Sequence, residues 1–403
     1  MLKICVIGLG YVGLPICLKI SKKYDTVGFD TNNRRISYLK KSIDENKEFK
    51  KKDFINKKIF FTNKIYNLKN CNFFIICVPT PIKKSKLPDL NSVKKSFELI
   101  SSVLKKNDII VLESTVYPGV TKNFSKKLEI KTNLKNNKDF FVCYSPERIN
   151  PGDKKNKLTK INKIIGYEGT NSEIKNKLRK IYSNLCKNLI FTNKINEAET
   201  AKGIENIQRD LNIAFYNEVL LICNKLNINF NEVIRLAATK WNFIKFSPGL
   251  VGGHCLPVDP YYLTYAASKK KYKSKVTLAG RTINNSMKKY VMEIIKKKIN
   301  KFSQKNKSKI KIIVLGLTYK YGVSDTRNSQ KLEIFNYLKK NYKNTIAYDP
   351  YLNNIKFKSV NNNLYKNDFF LFLSKGKKFK NLFNKISKNS INKIIDPFFY
   401  YIK

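Results

Sequence analysis

The chain has 403 residues, 42% of them hydrophobic, and a formal net charge of +51. That length is too great for one ordinary core and predicts two or three domains of a multidomain soluble enzyme. The eight cysteines (Cys5, Cys17, Cys71, Cys77, Cys143, Cys186, Cys223 and Cys255) form no CxxC pairs and have no zinc-ligand spacing. This argues against a disulfide framework and a structural metal, and predicts a reducing, cytoplasmic setting.

A basic excess of this size ordinarily suggests nucleic acid or an anionic membrane as partner. Arginine, the better reader of phosphates and bases, is nevertheless confined to Arg34, Arg35, Arg148, Arg179, Arg209, Arg235, Arg281 and Arg327. Lysine is spread among Asn, Ile, Phe and Tyr, including the loop at 301–309, as expected of a residue vocabulary biased towards A/T-rich codons. The lysines therefore read as solvated faces, with no dedicated nucleic-acid partner. Where Gly, Pro and Arg do cluster, geometry or chemistry should require them. They cluster at 8–15, 79–88, 113–119, 146–152, 248–260, 280–281 and 316–327.

In chain order, the opening Met-Leu-Lys-Ile-Cys-Val-Ile-Gly is too short an apolar run for a signal peptide or a membrane span, and no later run is long enough to span. Short β-branched runs at Lys3–Ile7, Thr26–Phe29, Phe73–Val78, Ile109–Leu112 and Phe140–Tyr144 alternate with helix-length segments, as in βαβ units on a parallel sheet. Residues 197–240 carry helical periodicity, which predicts a mostly helical middle domain. Strand patterns return at Ile310–Leu315, Thr345–Tyr348 and Asp368–Leu373, which predicts a second, smaller α/β domain. The expected boundaries are 1–196, 197–298 and 299–403.

Gly8-Leu9-Gly10-Tyr11-Val12-Gly13 follows the first predicted strand and opens a helix, the arrangement in which glycines admit a pyrophosphate. Asp30 ends the second predicted strand, where a carboxylate accepts from ribose hydroxyls and favours NAD over NADP. Arg34 and Arg35 lie close by, and Arg35 is a further cofactor candidate. The turns Cys77-Val-Pro-Thr80-Pro and Glu113-Ser114-Thr115-Val-Tyr-Pro118-Gly119 should face the same crevice. Taken singly, Thr80 and Ser114 are equally consistent with ordinary turn chemistry.

The reactive stretch is Phe246-Ser-Pro-Gly249-Leu-Val-Gly252-Gly253-His254-Cys255-Leu-Pro-Val-Asp259-Pro260. Its glycines suit close substrate approach, and Asp259 falls one helical turn beyond the thiol if the segment coils. A thiol that adds to an aldehyde gives a thiohemiacetal, then a thioester that water releases as the acid. His254 is the sole histidine, and an adjacent residue is poorly placed as the base for Cys255, so it reads as a substrate contact. Proton transfer then falls to carboxylates, lysine or water. Lys202 and Asn206 share a helix face suited to an oxyanion, although two solvated polar residues fit that spacing equally. Glu147, in Tyr144-Ser-Pro-Glu147-Arg148-Ile-Asn-Pro151-Gly152, is either a base for the hydrolytic water or a loop ion pair with Arg148.

Over essentially its full length the chain resembles the UDP-glucose/GDP-mannose dehydrogenase family. The blocks Thr239 to Cys255 and Val258-Asp-Pro-Tyr-Tyr-Leu are similar to the UDP-N-acetylglucosamine/UDP-N-acetylgalactosamine 6-dehydrogenases of Vi-antigen and O-antigen synthesis. The resemblance implies an N-terminal Rossmann NAD domain, a central helical dimerisation domain and a C-terminal Rossmann-like UDP-binding domain. It implies Cys255 as nucleophile, Lys202 and Asn206 as oxyanion site, Asp259 with Thr115 positioning a water, and Glu147 for thioester hydrolysis. Arg148, Gly252, His254 and Arg281, the last at a domain and subunit junction, are implied near substrate. Lys320 and Arg327, in Gly316-Leu-Thr-Tyr-Lys320 and Ser324-Asp325-Thr-Arg327-Asn-Ser329, are implied near its phosphates or sugar. The substrate reading rests mainly on His254, since many UDP-glucose and GDP-mannose enzymes carry Ser there. UDP-glucose is the main enzymatic alternative; a nucleic-acid-binding protein and a catalytically dead relative are the other two.

Overall fold

The structure is a computed structural model that describes residues 2–55, 58–148, 160–302, 310–352 and 368–402. Residues 149–152, the end of the segment read around Glu147, and 303–309 of the lysine-rich loop lie outside the described residues. The chain divides into two compact units, one of residues 1–205 with 261–273, the other of 206–260 with 274–403.

The first unit is a doubly wound sheet. Its strands are β1 (Lys3–Ile7), β2 (Asp25–Phe29), β3 (Ile59–Thr62), β4 (Phe73–Ile76), β5 (Ile109–Leu112), β6 (Phe141–Tyr144), β7 (Lys163–Gly166) and β8 (Leu189–Thr192). They lie in the order β3-β2-β1-β4-β5-β6-β7-β8, parallel except where β6 meets β7. The first six positions give the 3-2-1-4-5-6 order of dinucleotide-binding sheets. Alternate strand residues pack on opposite faces, as a sheet covered on both sides requires. Ile4, Val6, Phe73 and Ile75 meet helices α1 (Gly13–Ile20), α2 (Asn33–Lys40) and α5 (Ser172–Tyr182). Cys5, Ile7, Phe74 and Ile76 meet α3 (Asn91–Ser101) and α4 (Val120–Thr132).

Helix α6 (Ile195–Lys225) begins in the first unit and ends in the second. The second unit adds α7 (Phe230–Ala237), the first residues of α8 (Asp259–Ser268), and α9 (Lys275–Phe302). Its sheet is parallel and ordered β10-β9-β11-β12, from β9 (Lys311–Leu315), β10 (Asn344–Tyr348), β11 (Asp368–Phe372) and β12 (Ile394–Ile395). Met287, Val291, Ile295 and Ile299 recur every fourth residue along α9 and bury one stripe in the same core as Ile312, Val314 and Leu371. The other sheet face is covered by Phe379 and Ile386 of α11 (Lys377–Ser390), after α10 (Gln330–Asn341). The middle helices thus share a core with the second sheet.

Candidate functional site

In the first unit the turn from β1 into α1 is held from three sides. Gly8 has φ +90°, and a side chain there would meet the Cys77 carbonyl at 2.9 Å. A side chain on Gly13 would collide with the Gly8 carbonyl, whereas at Gly10 it would enter open space. The Asp30 carboxylate accepts from Leu9 N at 2.9 Å and Asn32 N at 2.9 Å, so it braces the loop through which Tyr11 and Val12 pass. Arg35 is buried: its Nε donates to the Leu9 carbonyl at 3.0 Å and its Nη1 lies 2.8 Å from Asp44 Oδ1. It supports the loop from beneath. The open side at Gly10 and the two-sided Asp30 carboxylate are what a dinucleotide needs, so these residues fit NAD.

Ser114 is buried and donates to the Val78 carbonyl at 2.7 Å, pinning the turn that carries Thr80. Thr115 follows it on the connection from β5. The start of α4 is already satisfied, because Glu199 accepts from Gly119 N at 2.6 Å, Thr121 N at 2.9 Å and the Thr121 hydroxyl at 2.7 Å.

Glu147 does not pair with Arg148, the alternative left open by the sequence. The Arg148 guanidinium instead reaches Glu205 at 2.8 Å and the Asn162 carbonyl at 3.0 Å. Glu147 Oε2 accepts from Lys163 Nζ at 2.9 Å and its Oε1 from the Arg148 amide at 2.7 Å. Lys163 is completely buried and also pairs with Glu113, which accepts from the Tyr182 hydroxyl at 2.7 Å. Burial pushes Glu113 up to about 7 against the pull of Lys163. Burial alone would lower the Lys163 amine, but the two carboxylates outweigh it and hold it raised. Lys202 is buried too, its Nζ donating to the Glu147 carbonyl at 2.6 Å. The reading of Lys202 as a solvated lysine is thereby excluded. Neither Glu113 nor Lys163 was singled out in the sequence. The available signal was a lysine inside the otherwise apolar strand Lys163-Ile-Ile-Gly166.

In the second unit the segment after Cys255 does coil: Asp259 N donates to the Cys255 carbonyl at 2.8 Å and α8 begins there. Asn206 Nδ2 donates to Asp259 Oδ2 at 2.5 Å with both residues buried, so Asn206 is not solvated either. Seven cysteines are buried, and Cys255 is exposed. Of the sequence candidates, the first unit therefore brings Glu147 and Lys202 together, and the second brings Asn206 and Asp259 together one turn from Cys255.

The paired glycines before Cys255 have a packing reason beyond substrate approach. A side chain on Gly252 would meet the Asn328 carbonyl at 2.8 Å, and one on Gly253, at φ +88°, would meet the Tyr319 ring at 2.8 Å. Asn328 Nδ2 donates to the Gly253 carbonyl at 3.1 Å, which ties the cysteine loop to the Ser324–Ser329 block. His254 packs edge-on to Tyr319, with Nε2 3.8 Å from Asp325 Oδ2. Burial, then the nearby Arg327 charge, lowers the imidazole, which keeps it neutral at pH 7. Arg327 grips Asp325 through Nη2 at 2.7 Å and Nε at 3.1 Å, and these bonds outweigh burial and hold that carboxyl low. Lys320 lies on the same connection after β9. Arg281 is buried on α9, with Nη1 2.6 Å from Asp210 Oδ1 and Nη2 2.6 Å from Asn285 Oδ1. Asp210, a partner the sequence did not reveal, is also bound by Asn284 Nδ2 at 2.8 Å.

Residues 2–186 match the NAD binding domain of the UDP-glucose/GDP-mannose dehydrogenase family, 196–286 its central domain and 313–397 its UDP binding domain. The chain is 43% identical over 354 residues to the UDP-N-acetyl-D-glucosamine 6-dehydrogenase of Salmonella typhi, covering 87% of this chain and 82% of that one. A Pseudomonas aeruginosa protein of the same name is 42% identical over 356 residues, covering 87% and 83%. The structure superposes on a UDP-D-ManNAc dehydrogenase from Pyrococcus horikoshii with TM-score 0.86 at 32% identity, covering 96% and 93% of the two chains. Fold and matches together define an NAD-dependent nucleotide-sugar dehydrogenase with NAD-binding, central and UDP-binding domains. The chain belongs to the UDP-glucose/GDP-mannose dehydrogenase family. Among its described residues no helix is long and apolar enough to cross a membrane.

Proposed function

We propose that this protein oxidises the C6 alcohol of a UDP-N-acetylhexosamine, UDP-N-acetylglucosamine or its galacto epimer, to the uronic acid for surface polysaccharide synthesis. The observation that carries the reading is the exposed Cys255 set one helical turn before Asp259, which is held by Asn206. The 43% identity to a UDP-N-acetyl-D-glucosamine 6-dehydrogenase supports the sugar class. Similarity to a UDP-D-ManNAc dehydrogenase favours UDP-N-acetylmannosamine as the second reading, ahead of UDP-glucose.

Gly8, Gly10, Tyr11, Val12, Gly13, Asp30, Thr80, Ser114 and Thr115 would hold NAD, with Arg35 acting through the loop it supports. When bound, NAD supplies the two-electron acceptor for each of two oxidations. Between them, the Cys255 sulfur adds to the C6 aldehyde, giving a thiohemiacetal that becomes a thioester. Lys202 and Asn206 stabilise the oxyanion, and Asp259 with Thr115 positions the water that takes the alcohol proton. Glu147 takes the proton of the water that attacks the thioester. A C–O bond forms, the C–S bond breaks, and the sulfur regains a proton. Arg148, Gly252, His254, Arg281, Lys320 and Arg327 serve the UDP-sugar, across functional domains bounded at 1–196, 197–298 and 299–403.

A homodimer built on the central helices belongs to the same proposal. Trp241, 91% exposed, and exposed Phe215, Ile222, Leu226, Leu236 and Ile244 all belong to the second unit. Phe215, Ile222 and Leu226 share one face of α6. The test is a panel of UDP-N-acetylglucosamine, UDP-N-acetylgalactosamine, UDP-N-acetylmannosamine, UDP-glucose and GDP-mannose with NAD, following NADH. Turnover is expected with an N-acetylated UDP-sugar. No turnover with any of the five would overturn the function.

A further inference from the structure

We propose that Lys163 is a positioning residue for acyl release, its ammonium clamping the Glu147 carboxylate while Glu113 competes for the same cation. The proposal rests on the reading of Glu147 as the residue that takes the proton of the hydrolytic water.

Three observations carry it. Lys163 is completely buried in the core strand β7, a place where lysine is expensive and is kept only with charged partners. Its Nζ bridges exactly the carboxylate assigned to hydrolysis, at 2.9 Å from Glu147 Oε2, and a second one, Glu113, that has no assigned chemistry. Glu147 is also held at its other oxygen by the Arg148 amide and at its carbonyl by Lys202 Nζ, so Lys163 acts on a carboxylate whose second oxygen and backbone are already anchored. Both carboxylates share this one buried ammonium, so the share that Glu147 receives depends on Glu113.

Among the described residues, the other titratable groups around Lys163 are neutral or engaged elsewhere. The Tyr182 hydroxyl donates to Glu113, and its ring lies 5.6 Å from Lys163 Nζ. Burial raises Tyr182 and the Cys77, Cys143 and Cys186 thiols, all of which stay neutral. Arg148 spends its guanidinium on Glu205, and Lys202 on the Glu147 backbone.

The step served is thioester hydrolysis: a water oxygen bonds to C6, the C–S bond to Cys255 breaks, the water proton passes to Glu147, and the thiolate is reprotonated. The experiment is pre-steady-state NADH release and intact-protein mass with UDP-N-acetylglucosamine and NAD, across pH, on the full-length protein and two variants. Lys163→Met should keep the initial NADH burst but slow the steady state about 10²-fold, with an acyl adduct accumulating on Cys255. Its pH midpoint for acyl release should move up by about one unit. Glu113→Gln frees the whole ammonium for Glu147, so its midpoint should move down by about one unit. Opposite displacements are what a purely structural role would not produce. Unmoved midpoints, or displacement in the same direction, would overturn the proposal; if Lys163→Met does not fold, Glu113→Gln decides alone. Glu147→Gln is run beside them: if it fails to accumulate the adduct, the hydrolytic role of Glu147 falls, a failure distinct from that of Lys163.

Discussion

Asn206 Nδ2 donates to Asp259 Oδ2 at 2.5 Å, joining a residue of α6 to the first residue of α8 across 53 positions of sequence. Both are buried, so the amide has a fixed direction and the carboxylate a satisfied oxygen. Asn206→Ala should therefore cost about 1–3 kcal/mol of stability by removing a hydrogen bond to a buried carboxylate. It should also lower kcat by about 10²-fold if the amide serves an oxyanion. Urea unfolding and steady-state kinetics separate the two effects, and an unchanged kcat would remove Asn206 from the chemistry.

Cys255→Ala should abolish acid formation and leave no acyl adduct in the mass spectrum, while NAD binding followed by fluorescence titration is retained. Full activity in this variant would remove the covalent scheme.

Arg281 and Asp210 form an ion pair sealed from solvent in the second unit. Removing only the cation, as Arg281→Met, should destabilise by about 3–5 kcal/mol because a buried carboxylate is left behind. The double variant Arg281→Met, Asp210→Leu should recover much of that loss. Denaturant unfolding of the three proteins reads it directly; a double variant no better than the single one would contradict this account.

Lys331 is a buried lysine whose Nζ donates to the Ser374 hydroxyl at 2.8 Å. Burial pulls its amine down to about 8, with Asp349 opposing. An unfolded lysine titrates near 10.4, so between about pH 8 and pH 10.4 the unfolded chain binds more protons than the folded one. Stability contributed by this site therefore rises with pH through that window and is lowest below it. Lys331→Met should be more stable near neutral pH, by on the order of 3 kcal/mol, with the advantage gone above about pH 10.4. A stability difference independent of pH would contradict the assignment.

Much of the first sheet was legible because its strands are short β-branched runs set between glycine turns, and the runs predicted at Lys3–Ile7 and Ile109–Leu112 match β1 and β5 residue for residue. Strands β3, β7 and β8 were not legible, because four residues carrying lysine or lying among lysines have no period to distinguish them from loops. The candidate site was legible wherever chemistry is written locally, as in Cys255 and Asp259 one turn apart. Partners such as Lys163 for Glu147 or Asp210 for Arg281 are set by packing across elements, which spacing in one sequence does not encode. The same holds for Gly252 and Gly253, whose need for glycine comes from Asn328 and Tyr319 rather than from a ligand alone.

The central claim is a four-electron oxidation at one site, and the measurement that tests it most directly is the NADH yield per sugar consumed, with limiting UDP-N-acetylglucosamine and excess NAD. The account predicts two NADH for each uronic acid formed and no free aldehyde. One NADH per sugar, with aldehyde released, would contradict it.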